Sequence, residues 1–169
     1  MADWLPELCH LEEFGGDWRR YEDELYRYFR RDFIASRPSI DGQPVGINVA
    51  PVVNGKEESF WHLTTEEQEV VRDGIASKER LPDMERCCRI RWPRAILDAS
   101  ESNGVRVWRE RRPDGLRVVF ALEDFSYLVS VAVRRGGKLY LATAFPVLYE
   151  RRRDKHRKQY ERYMRDQQA

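Results

Sequence analysis

His62 is the residue best suited to proton transfer, and it stands in Phe60-Trp61-His62-Leu63-Thr64. An imidazole titrates near pH 6.5, so it can take or give a proton close to neutrality. Arginines follow at Arg80, Arg86, Arg89 and Arg91, and a hydroxyl donor stands at Thr143 in Thr143-Ala144-Phe145-Pro146. A histidine, several guanidinium groups and a hydroxyl meet the needs of one reaction that uses neither metal nor cofactor: cleavage of RNA by its own 2′-hydroxyl. That reaction takes a proton from the hydroxyl, gives one to the leaving oxygen and neutralises charge growing on the phosphoryl oxygens. On this reading His62, Arg89, Arg91 and Thr143 are the catalytic candidates. Arg80, Arg86, Arg151, Arg152, Lys155 and His156 are the candidates for holding RNA phosphates.

Each candidate also fits a purely architectural role. A histidine among aromatics suits a hydrogen-bonded core. Arg86 lies three residues from Asp83 and from Arg89, so pairing on a helix face explains it as well as phosphate does. Thr143 alternates with Leu139, Leu141 and Phe145, which points it toward a core, and the 151–158 run with His156 reads equally as a solvated face.

Other chemistries lack their motifs. HExxH, CxxC, P-loop, GxGxxG and GxSxG patterns do not occur, so no cofactor and no metal is expected. The three cysteines, Cys9, Cys87 and Cys88, give neither a disulfide framework nor zinc-ligand spacing, which suggests a reducing, cytoplasmic compartment. No apolar run approaches the ~20 residues of a membrane span, and Met1-Ala2-Asp3-Trp4 lacks a leader pattern, so no membrane partner is expected.

The charge is unevenly placed. The 169 residues carry 30 Lys+Arg and 29 Asp+Glu, a sum that excludes a uniformly basic or uniformly acidic protein. By segment it is −4 over 1–34, −2 over 35–100 and +7 over 101–169. Only five of the bases are lysines. Arginine is the planar fork that grips phosphate, although a GC-rich genome would write the same excess.

These side chains need a frame. Residues 17–34 are predicted helical, with Asp17 as cap and Trp18, Tyr21, Leu25, Tyr28 and Phe29 on one stripe. Val45–Val53 is predicted extended and ends at Asn54-Gly55. Thr64 with Glu67 resembles a capping box, predicting a short helix over 65–75. Asp83–Arg91 is predicted helical, with Pro93 ending it or opening a second short helix that ends near Ala99. From residue 104 the period becomes two, and 105–111, 116–123, 127–135 and 139–145 are predicted to form a four-stranded antiparallel meander. A basic helix is predicted over 148–166. The fold class is therefore α+β, with N-terminal helices on the sheet and a C-terminal basic helix. The chain is one domain: 1–54 a helix and extended segment, 55–147 a nuclease-like core, 148–169 the terminal helix.

Phe60-Trp61-His62-Leu63-Thr64, Arg89-Ile90-Arg91-Trp92, Tyr127-Leu128-Val129 and Leu141-Ala142-Thr143-Ala144-Phe145 together resemble the barnase–EndoU–colicin–RelE superfamily of metal-independent ribonucleases, in its phage- and mobile-element-associated branch. The resemblance covers residues 55–150. It implies a toxin-type endoribonuclease of a phage, plasmid or bacterial conflict system, with RNA as substrate and a cognate immunity or antitoxin protein as partner. His62 would be the general acid/base, Arg89 and Arg91 would hold the phosphate and Thr143 would donate to it. Phe145 stands where the family often has tyrosine, so a phenolic role is lost. The alternative expectation is a non-catalytic RNA- or protein-binding protein on the same frame. The two differ in whether His62, Arg89 and Thr143 share a solvent-reached pocket or His62 is buried.

Overall fold

The computed structural model describes residues 2–99 and 103–169 and is α+β. Helix α1 (Trp18–Arg30) begins where the Asp17 carboxylate accepts the Arg20 N–H at 3.2 Å. Tyr21, Leu25 and Phe29 recur every four residues and are fully buried, so one stripe of α1 faces the core. The helix widens into a π-turn over Arg31–Ala35, and the chain then leaves at Ser36-Arg37-Pro38. Tyr21 donates its hydroxyl to the Cys9 carbonyl at 2.7 Å, tying the N-terminal segment to α1. Tyr21→Phe leaves that carbonyl buried without its donor and is expected to cost about 1–3 kcal/mol in urea melts. All three cysteines are buried free thiols, and burial pushes Cys9 up to about 11.

The sheet has six strands, so the expectation of four is corrected. Strands β5 (Arg106–Arg112), β6 (Gly115–Ala121), β7 (Tyr127–Val133) and β8 (Leu139–Pro146) pair antiparallel in sequence order. The sheet continues past β8 through β2 (Gln43–Gly46), which runs parallel to it, and β1 (Ser39–Ile40). A four-residue strand whose only long-range partner is 94 residues away leaves no local signal. Of the predicted 45–53 strand only Val45 and Gly46 join the ladder.

The predicted 65–75 helix is overturned. The helix comes earlier, as α2 (Glu58–Thr64), and is followed at once by β3 (Thr65–Arg72) and β4 (Ile75–Pro82), a separate two-stranded hairpin. Asp73 and Gly74 link the strands with φ of 51° and 75°. That is the two-residue turn whose twist matches a hairpin, and glycine accepts the left-handed conformation without a Cβ penalty. The turn chemistry outweighs the Thr64/Glu67 pattern.

Asp83 caps the short helix α3 (Met84–Cys87) by accepting from Glu85 N and Arg86 N. Pro93 sits in the first turn of α4 (Trp92–Asp98). The final helix, α5 (Glu150–Gln168), is where the sequence predicts it.

The sheet is covered on both faces. On the front face Val118, Phe120, Val129, Val131 and Leu141 pack with α1, α2 and α4 in the main core. On the back face Trp108, Val119, Ala121 and Leu128 pack with Tyr160 and Tyr163, so α5 docks on the sheet. Helices α2 and α3 lie along β8 where β2 no longer pairs with it.

Candidate functional site

Helix α2 divides into two faces. Ser59, Phe60, Leu63 and Thr64 are buried, and Phe60 meets Phe29 and Tyr26 edge-on. That leaves Glu58, Trp61 and His62 on the outer side at helical spacing, half-buried. The chain passes from α2 into β3 without a loop, which sets Thr65 beside Trp61: the Thr65 hydroxyl donates to the Trp61 carbonyl at 2.5 Å. The hairpin then returns Arg80 and Pro82 to the same place, with Pro82 opposite Thr65 in register. Arg80 grips Thr65 with two N–H groups, Nε to Oγ1 and Nη2 to the carbonyl, both at 2.9 Å.

The result is a pocket of about 330 Å3, toward the small end of known ligand sites. Glu58, Trp61, His62, Thr65 and Arg80 form its polar side, and Pro51, Val53, Asn54 and Pro82 close the other. Val53 to Lys56 is a tight turn with Asn54 and Gly55 at φ of 51° and 72°. It is held by Trp61, whose Nε1 donates to the Val53 carbonyl at 3.1 Å.

His62 Nε2 lies 3.5 Å from Glu58 Oε1, and the two side chains keep 35% and 34% of their surface, so solvent and solutes reach both. Burial holds the His62 pKa below its usual 6.5. The Arg80 and Arg86 cations push the same way, while Glu58 opposes them without cancelling the drop. The ring is therefore neutral at pH 7 and free to accept a proton. The sign for stability follows: the unfolded ring takes a proton near 6.5 and the folded ring only at lower pH. This histidine therefore destabilises the fold as pH falls below about 6.5. An NMR titration of the His62 ring protons is expected to give a midpoint below 6.5, and Glu58→Gln is expected to lower it further.

The candidates do not all meet here. His62 and Arg80 line the pocket. Arg86 stands behind it: its Nη1 donates to the His62 carbonyl at 3.0 Å, its Nε pairs with Asp83 at 3.4 Å and its guanidinium lies over Phe145. Arg86 thus clamps the end of α2. Arg89 and Arg91 are placed elsewhere. Arg89 donates to Glu85 Oε2 at 2.6 Å and lies over Trp92, as the helix-face pairing allows. Arg91 donates to the Glu7 carbonyl at 2.6 Å and lies over Tyr28, tying down the N-terminal segment. Neither lines the pocket, so the convergence of His62, Arg89 and Thr143 does not form.

Thr143 is displaced by a bulge. Ser130 pairs with Thr143 but Val131 pairs with Leu141, so Ala142 is an extra residue in β8. The bulge reverses the alternation. Leu141 and Ala144 enter the front core, and Thr143 faces the back beside Ser130.

On α5, Arg151, Arg152 and Lys155 are exposed, and among the described residues their side chains have no hydrogen-bond or ion-pair partner. His156 is half-buried against Trp108, with Nδ1 3.0 Å from Gln159 Oε1, and burial lowers its pKa. It belongs to the helix–sheet contact, away from the α2 pocket.

Glu58, Thr65 and Trp61 are the site residues that the sequence reading did not choose. For Glu58 a signal was there: it precedes His62 by four residues, the spacing that puts two side chains together on a helix. Comparison of the chain with protein-family models, curated proteins and solved structures finds no match.

Proposed function

We propose that this protein is a metal-independent endoribonuclease of the toxin type, with its reaction centre in the α2–hairpin pocket. The observation that carries the reading is the meeting of an acid/base pair, Glu58 and His62, with the Arg80 guanidinium in one solvent-reached pocket. Neutral His62 takes the proton of an RNA 2′-hydroxyl. The 2′-oxygen attacks the adjacent phosphorus, the bond from phosphorus to the 5′-oxygen breaks, and that oxygen takes a proton from a water in the open mouth of the pocket, to which the imidazolium returns the proton it took. The products are a 2′,3′-cyclic phosphate and a 5′-hydroxyl. Glu58 stabilises the imidazolium while it lasts, and Arg80 offsets the charge on the phosphoryl oxygens. Trp61 offers a ring beside an unstacked base. The proposed role of Arg89 and Arg91 is reduced to holding the frame, and Thr143 drops out of the phosphate site.

The exposed cations of α5 extend the proposed RNA contact. Binding of single-stranded RNA is expected to weaken steeply with salt, and Arg152→Ala is expected to flatten the logarithmic salt slope by about 1. An affinity indifferent to salt would remove α5 from the contact. The reading as a whole is tested by inducing the protein in growing cells: arrested growth and fragmented RNA are expected, and intact RNA at full growth sinks it. The second reading, an interaction protein, is favoured by one feature. The β3–β4 hairpin projects with Val71 and Ile75 exposed near its tip, a surface suited to a protein partner.

A further inference from the structure

One wall of the α2 pocket is apolar beyond what packing explains. Val49, Ala50, Pro51, Val52 and Val53 follow one another and all five are exposed, the valines by 53%, 56% and 48%. A run of this length is uncommon on a water-facing surface unless a ligand or partner covers it. Pro51 and Val53 line the pocket, and Trp61 and Pro82 join them there.

Asn54 brings a polar side chain to this wall, and its carboxamide has no hydrogen-bond partner among the described residues. The backbone that carries it is fixed at three points. Val53 and Lys56 exchange two backbone hydrogen bonds at 3.0 Å, Trp61 Nε1 holds the Val53 carbonyl, and Lys56 pairs with Glu22 of α1 at 3.4 Å. Across the pocket Arg80 gives Nε and Nη2 to Thr65, and its Nη1 has no acceptor among the described residues. The Glu58 carboxylate beside His62 turns an entering anion toward Arg80.

Apolar walls, a free carboxamide and a free guanidinium N–H suit a ligand with apolar faces, a hydrogen-bonding edge and an attached anion. A nucleotide has all three. A carboxamide sets an acceptor beside a donor. Adenine answers that pattern with its 6-amino group and N7, whereas guanine shows two acceptors, O6 and N7, on the same edge. A purine also covers more apolar wall than a pyrimidine. We propose that Asn54 reads the base held in this pocket and selects adenine, with the ring against Trp61, Pro51 and Val53 and the attached phosphate on Arg80. The proposal rests on the pocket being an RNA site, but it needs only binding and not cleavage.

The test is an NMR titration of the full chain with the 3′-monophosphates of adenosine, guanosine, cytidine and uridine, read at the Trp61 indole N–H. The adenylate is expected to bind tightest, ahead of the guanylate by about fivefold or more, the worth of a good carboxamide–adenine pair. Asn54 has a φ of 51°, a conformation that glycine accepts, so Asn54→Gly should keep the turn and the wild-type spectrum elsewhere. In that variant the ratio of adenylate to guanylate affinity should fall to about one, while both purines still bind, since stacking is untouched. Wild-type protein that binds none of the four, or binds any other as tightly as the adenylate, overturns the proposal. So does an adenylate preference that survives in Asn54→Gly. RNA cleavage without an adenine preference would remove this role of Asn54 and leave the proposed reaction standing, whereas adenylate selection with intact RNA would do the reverse.

Discussion

His62→Ala is expected to lower RNA cleavage by about 10²- to 10⁴-fold, the usual worth of a positioned proton-transfer group. At about 1.4 kcal/mol per factor of ten, that is about 3–5 kcal/mol on the barrier. The side chain is about one-third exposed and lines the pocket beside Glu58, so the variant should fold. Loss of cleavage with an unchanged melting curve would then report chemistry. Glu58→Gln keeps the size of the side chain and removes the charge that steadies the imidazolium. A smaller loss is expected, on the order of tenfold, as for a partner that tunes the base. In the wild type, kcat/KM should rise with pH through a midpoint below 6.5, because the neutral ring is the working form and its pKa is held down by burial and by Arg80. In Glu58→Gln that midpoint should move lower. A pH profile unchanged in His62→Ala would place the proton transfer elsewhere.

The second large effect is on stability and lies on the opposite side of the sheet. Trp108 is 1% exposed and heads the large buried side chains. It meets Phe125 and Tyr160 at ring-centroid distances of 6.1 Å, so it joins β5, the β6–β7 turn and α5. Trp108→Ala removes that centre and is expected to cost about 3–5 kcal/mol. For a domain of this size the melting temperature should drop by on the order of 10 °C. Trp108→Phe makes a sharp contrast. The indole Nε1 is buried with no acceptor among the described residues, so phenylalanine keeps most of the packing and removes a polar group without a partner. It should cost much less than alanine in the same urea melt. Equal losses in the two variants would refute packing as the cause. Neither change touches the α2 pocket, so His62 chemistry should survive in the folded fraction of both.

The parts of the fold legible in the sequence are those set by local pattern. The α1 stripe is read from Tyr21, Leu25 and Phe29, and the strands from 105 to 145 from alternation and short turns. The parts that were not legible depend on contacts far apart in the chain, or on a choice between two local signals. Strand β2 takes its place from β8, which no window around Val45 contains. At residues 64–75 a capping pattern competes with Asp73-Gly74, and the turn prevails because strands of equal length flank it. Thr143 shows the limit most clearly: one bulged residue, Ala142, moves it to the other face, and alternation alone cannot announce a bulge. For the site, the residue types pointed to His62 and Arg80 but not to their company. Arg89 and Arg91 have acceptors at Glu85 and Glu7, and only three-dimensional placement shows that these are taken.

The chemistry proposed for the pocket makes a demand that a merely binding protein does not share: the substrate's own 2′-hydroxyl is the nucleophile, and no metal is needed. The most direct measurement uses one single-stranded RNA in two forms, natural and with a 2′-deoxy residue at the cleaved position, incubated with the protein in excess chelator. The expected result is cleavage of the natural strand to a 2′,3′-cyclic phosphate and a 5′-hydroxyl, with no cut at the deoxy residue. Intact natural RNA, or a cut at the deoxy residue that leaves a 5′-phosphate, would contradict it.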